Sequence, residues 1–247
     1  MSILASEDMK VYNVRRSGSR GIYMSSQDRI LKALLSQITQ IENIQPGDFP
    51  DVDLYMDQVT TYLDTHIASI KFDEDDVVLT KTMINNYVKS GVLPPPVNKK
   101  YSKQHLIMLI FIYYFKGILP VSEVKKMLDP INEEFFNDDD MNVEFIYSEM
   151  YDSIKNQIVK TSKDVYSKSF EARQHFTDIK DISEREELQN FIMMGMLAFD
   201  IFLKRKMLEK LIETNYNMQT NKKSEQSAKG GKSGKNDKQD KSDKSKK

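Results

Sequence analysis

The chain has 247 residues, 39% of them hydrophobic and 30% charged, with a formal net charge of −1, enough for one large or two small domains with an apolar core. It has no cysteine and three histidines, His66, His105 and His175, no two of them spaced as a ligand pair. That excludes disulfide frameworks, thiolate metal sites and cysteine nucleophiles, and points to a reduced, cytoplasmic setting. The near-zero charge hides an asymmetry. Thr80 to Leu128 carries eight lysines against Glu123, or +7, and Asn221 to Lys247 carries ten lysines against four acids, or +6, which leaves −14 for the remainder. A basic island between "DEDD" (73–76) and "EEFFNDDD" (133–140) is the electrostatic footprint of an anionic partner; the plain alternative is solvated lysines on a helical domain.

Residues 1–24 read as irregular and lack the apolar stretch of a signal peptide. Ser25-Ser26 caps a predicted helix to about Asn43, with Ile30, Leu34, Ile38 and Ile41 on one face. "QPGDFPD" (45–51) breaks the pattern, and a second helix is predicted from Leu54 to Ile70 through Met56, Val59, Leu63 and Ile67. His66 on it reads as a surface or packing residue. Beyond an acidic turn, Thr80 caps a short helix from Lys81 to Ser90 that Gly91 closes. "VLPPPVNKKY" is too rich in proline for a helix and suits a short extended wing over 94–101.

Ser102 then caps an apolar helix to Lys116, and a further helix covers Val121 to Leu128. Helices are expected over Val143–Phe176 and Ser183–Tyr216, the latter with Ser183 and Glu186 at capping-box spacing. From Asn217 the chain is lysine-rich and of low complexity, and disorder is expected. The apolar runs at 106–115 and 191–203 fall short of the ~20 residues of a membrane span, and the second includes Asp200. No membrane role is expected.

The short helix is the unusual one. Ile84, Tyr87 and Val88 share its apolar face, which leaves Lys81, Thr82, Asn85, Asn86 and Lys89 pointing outward. Asparagine is a poor helix former, so two in succession on an exposed turn cost stability unless their amides bond something. In a major groove an asparagine amide bonds adenine through two hydrogen bonds, and lysines contact phosphate or guanine. The order helix, turn, polar helix, proline-rich wing, apolar helix, short helix is that of a winged helix-turn-helix. Double-stranded DNA is the expected partner.

The stretch "MINNYVKSGVLPPP…KKYSKQHLIMLIFIYYFKGILPVSEVKKML" resembles the DNA-binding head of MerR-type regulators. More closely, "LYMDQV" (54–59), "LTKTMINNYVK" and "KKYS" resemble an uncharacterised Gram-positive bacterial family described only as a domain of unknown function, some of whose members are suspected transcriptional regulators. The likeness covers roughly residues 48–130 and extends more weakly to 184–213. It implies an all-α fold: a MerR-like winged helix-turn-helix with a short wing, followed by a C-terminal helical domain. By position, Ile84, Asn85, Asn86 and Tyr87 fall where MerR proteins have Leu-Arg-Tyr-Tyr, and Lys99 and Tyr101 fall where the wing has its Arg and Tyr. Asn85 thus replaces a DNA-gripping arginine, and with the shorter wing, phosphate contact falls to Lys99, Lys100 and Lys103.

The chain therefore divides into 1–47, a flexible N-terminus plus one helix; 48–130, the winged head; 131–216, a helical dimerisation or effector region; and 217–247, the lysine-rich tail. The run at 191–203 is apolar nearly all round and must be enclosed by its own domain or shared between chains. Met193, Met194, Met196, Phe199, Phe202 and Leu203 are the candidate dimer surface, and a homodimer is expected because MerR-type proteins dimerise. "NDDDMNVE" (137–144) lacks the spacing and glycine of a calcium loop, so no metal or cofactor is expected, and no catalytic constellation stands out. Two other readings remain: a helical adaptor that binds proteins, and a lysine tail acting as a nonspecific tether to anionic surfaces.

Overall fold

The structure is a computed structural model describing residues 26–39, 44–67 and 78–230; within them the chain is mostly helical with one two-stranded sheet. Expectations for residues 1–24, the acidic turn at 72–76 and the tail beyond 230 lie outside the described residues. Helix α1 (Ser26–Thr39) turns Leu31 inward. A 3-10 turn at Pro46–Asp48 leads to strand β1 (Leu54–Tyr55) and helix α2 (Met56–His66), which buries Val59 and Leu63. The expected helix start at Leu54 is thus a strand: Tyr55 is the N-cap, and its backbone N–H donates to Gln58 Oε1 at 2.9 Å.

Helix α3 (Lys81–Lys89) starts where Thr80 Oγ1 accepts from Met83 N at 3.1 Å. Its end is set by Gly91 at φ +70°, a left-handed conformation that costs glycine little. Gly91 N donates to Val88 O and Val92 N to Tyr87 O, the paired bonds of a Schellman closure. Strand β2 (Lys100–Tyr101) pairs antiparallel with β1, Leu54 opposite Tyr101 and Tyr55 opposite Lys100.

The core is built around helix α4 (Lys103–Lys116), in which every residue from His105 to Ile112 is buried. A helix so enclosed needs apolar side chains on all sides, and α2, α5 (Val121–Glu134), α6 (Val143–Ala172) and β2 pack against it. No described helix is long and apolar enough to cross a membrane. Helix α5 runs through Pro130 to Glu134, past the expected stop at Leu128.

The packed unit also extends beyond the expected boundary at 130. Val143 and Tyr147 of α6 are fully buried, and the Tyr147 hydroxyl donates to Ile44 O at 2.6 Å. The Tyr147 ring meets Phe49 edge-on at 5.3 Å and leans on Phe111 at 5.9 Å. Residues 44–49 and the first turns of α6 therefore close one core.

Helix α6 ends at Ala172, short of the expected Phe176, and a tight turn leads to α7 (Ile182–Gly230). The turn is held by Gln189, whose Nε2 donates to Arg173 O at 3.0 Å and His175 O at 2.8 Å. The cap of α7 is Asp181, whose Oδ1 accepts from Ser183 N and Glu184 N, so Ser183 sits inside the helix. The expected stop at Tyr216 is overrun: the helix continues to Gly230. Extending an existing helix fixes one residue per hydrogen bond and needs no new nucleus, and Lys223 is tied to Glu133 of α5.

Candidate nucleic-acid interface

Helix α3 is mounted on the core by Ile84 and Tyr87, both buried, with Met83 and Val88 half-buried beside them. That fixes the helix's rotation. Lys81, Thr82, Asn85, Asn86 and Lys89 are all exposed, and the side chains of Asn85 and Asn86 make no hydrogen bond with the described residues. Lys81 is paired with Asp57 of α2 across the surface. The turn after α3 is anchored from α5, where Asn132 Nδ2 donates to Val92 O at 2.9 Å.

Residues 97–100 form a two-residue hairpin. Val97 N donates to Lys100 O at 3.1 Å and Lys100 N to Val97 O at 2.9 Å. The central residues Asn98 and Lys99 both have positive φ, 50° and 62°, as a mirror-image type I′ turn requires. Asparagine suits this region, but lysine does not, and the favoured residue at the second position is glycine. Lys99 thus holds a locally unfavourable conformation at an exposed tip, a pattern that recurs at functional sites. Lys99→Gly is expected to raise stability by about 0.5–1 kcal/mol, read from the chemical denaturation midpoint; an unchanged or lowered midpoint would mean the tip is not strained.

Lys100 lies over the Tyr55 ring at 5.3 Å from its centroid. Both groups of candidates rest on α2: α3 packs against it, and β2 pairs with the residues that lead into it.

Two of the candidate contacts are corrected. Tyr101 is only 3% exposed; its ring meets His105 edge-on at 5.4 Å, and burial raises its phenol pKa. It anchors the hairpin and does not face outward. Lys103 is held by Asp51 at 2.8 Å and Glu144 at 3.2 Å, so its charge is already compensated.

Three further lysines of the basic island are already engaged. Lys125 pairs with Asp129 and Lys126 with Glu123, and Lys116 donates to Val78 O at 2.9 Å. Lys89, Lys99 and Lys100 have no acidic partner among the described residues.

His105 connects the hairpin to α4. Its Nδ1 accepts from Ser102 N at 3.0 Å, which leaves the proton on Nε2 facing Pro95 O at 3.4 Å. Phe136 and Tyr101 flank the ring, and desolvation lowers its pKa from 6.5 against weaker opposing contributions from the Pro95 and Pro94 carbonyls and Asp53. Because the folded value is lowered, the unfolded chain takes the proton first. The stabilisation is complete above about pH 6.5 and is lost as pH falls toward the lowered folded value. The melting temperature should accordingly drop between pH 7 and 5, and His105→Gln should flatten that part of the profile; an equal slope in the variant would rule His105 out as the cause.

On α7 the candidate dimer residues divide. Met194, Phe199, Phe202 and Leu203 are exposed, while Met193 and Met196 are half-buried on the side toward α6. Phe191 and Ile201, which the sequence reading did not select, are among the most exposed large side chains. The signal that could have found them was the exclusion of the α6-facing positions, which needs the packing of α6.

Taken together, the described chain is a mostly helical protein with a small sheet, with an exposed polar helix, α3, and a hairpin whose tip carries Lys99 and Lys100. A family described as "Domain of unknown function (DUF1836)" matches residues 44–153. These are nearly the residues that the Ile44–Tyr147 bond closes into one core. No curated protein and no solved structure matches the chain.

Proposed function

We propose that this protein is a DNA-binding transcriptional regulator with a winged helix-turn-helix head, in which α3 enters the major groove and the 97–100 hairpin acts as a short wing on the phosphate backbone. One observation carries the reading: Asn85 and Asn86, poor helix formers, stand side by side on a turn whose opposite face is locked into the core, with no partner among the described residues. An adenine edge would supply the missing bonds. The resemblance to MerR-type heads over residues 48–130 supports the same assignment, and a homodimer would let two α3 helices read a palindrome.

Selection of bound duplexes from random DNA with the full chain tests it. Asn85→Ala should cost about 1–3 kcal/mol on the selected site and little on random DNA. Equal losses on both would reject base reading by α3.

A second reading has its own support. The exposed apolar side chains of α7 favour a helical adaptor that docks proteins, and a stoichiometric protein complex with no duplex retained at low salt would select it.

A further inference from the structure

Of the two lysines on α3, only Lys81 meets an acid among the described residues: it pairs with Asp57 of α2. Both side chains are open to water, 57% for Lys81 and 78% for Asp57, and a pair that exposed contributes little to folding. Its place in the fold says more. The first turn of a helix is the positive end of its dipole, where an anion is favoured and a cation is not. Lys81 is the first residue of α3, and α3 has no acid of its own in that turn. A lysine there calls for a negative group from outside the helix. Asp57, in the first turn of α2, supplies it. The start of α2 also meets the hairpin, since Lys100 lies over the ring of Tyr55, the N-cap of α2.

We propose that Asp57 competes with DNA phosphate for Lys81 and so restrains the affinity of the α3 surface for duplex. Asp57 has this role only where α3 meets DNA, so it rests on the DNA-binding proposal above. The two partners differ in mobility. Lys81 has a long flexible stem and can swing to a phosphate. Asp57 has a short side chain, on a helix whose rotation is fixed by the buried Val59 and Leu63. When Lys81 leaves, the carboxylate stays behind, uncompensated, next to the incoming phosphate, and its repulsion offsets what the new contact contributes. Phosphate contacts carry no sequence information, so the restraint acts on selected and random duplexes alike.

Fluorescence anisotropy of the full chain on a duplex across a salt series tests it. Asp57→Asn keeps the shape of the side chain and removes its charge, and circular dichroism checks that the helices are retained. Lys81, once released, should neutralise one further phosphate. The slope of log K against log salt should steepen by about 0.9, which at 0.1 M salt is about 8-fold tighter binding. Adding Lys81→Gln to Asp57→Asn should abolish the gain. Asp51→Asn is the charge control: it removes another exposed acid, but Glu144 still holds Lys103, so a much smaller change is expected.

If the wild-type chain binds duplex and Asp57→Asn binds with the same slope, Asp57 has no such role and the DNA-binding proposal stands without it. A gain equally large in Asp51→Asn, or one that survives Lys81→Gln, would trace the effect to overall charge and overturn the assignment. Absence of duplex binding by both the wild-type and Asp57→Asn chains would reject the role of Asp57 and the DNA-binding proposal together.

Discussion

Tyr147→Ala is expected to lower the unfolding free energy by about 3–5 kcal/mol, the cost of emptying an aromatic site in a closed core. The residue is fully buried, its ring packs on Phe49 and Phe111, and its hydroxyl is the donor to the Ile44 carbonyl. Removing the side chain both opens a cavity and strands that carbonyl. Tyr147→Phe separates the two effects: it keeps the ring, and the stranded acceptor alone should cost about 1–3 kcal/mol.

Urea denaturation followed by circular dichroism measures both. The companion experiment concerns the limits of the folding unit. A 44–153 fragment should unfold cooperatively, whereas 48–130, which lacks Ile44 and all of α6, should not. A 48–130 fragment as stable as the longer one would show that α6 is only an attachment to the head.

The features legible in the sequence were those decided within a few residues. Thr80 as a cap, Gly91 as a left-handed closure and the Leu106–Ile112 run as a buried helix are local choices, and the structure agrees with each. Features decided at long range were not legible. Leu54-Tyr55 fits a helical apolar pattern, and only pairing with Lys100-Tyr101, more than forty residues on, makes it a strand.

The expected helix end at Leu128 is passed in the same way: α5 absorbs Pro130 and continues to Glu134. Tyr101 carries no mark that its ring turns inward.

The candidate site shows the same division. Which face of α3 is exposed followed from Ile84, Tyr87 and Val88. Which lysines are already compensated did not, because Asp57, Asp51 and Glu144 lie far from Lys81 and Lys103 in the chain.

That division among the lysines gives the sharpest test of the DNA-binding proposal. Replacing Lys89, Lys99 and Lys100 together by glutamine should reduce the slope of log K against log salt by about 2.7 in magnitude, since each phosphate neutralised contributes about 0.9. At 0.1 M salt the same relation corresponds to a loss of roughly 500-fold in affinity, shrinking toward 1 M. Lys125→Gln with Lys126→Gln is the control. Those two lysines belong to the same basic island, but Asp129 and Glu123 already hold their charges, so a much smaller change is expected.

Fluorescence anisotropy of the full chain on one duplex across a salt series reads both variants, with the lysine-rich tail present in each and therefore common to the comparison. If the control lost as much slope as the triple variant, binding would follow the overall charge of the island and not the α3 and hairpin surface. If neither variant changed it, duplex binding would have to come from elsewhere in the chain.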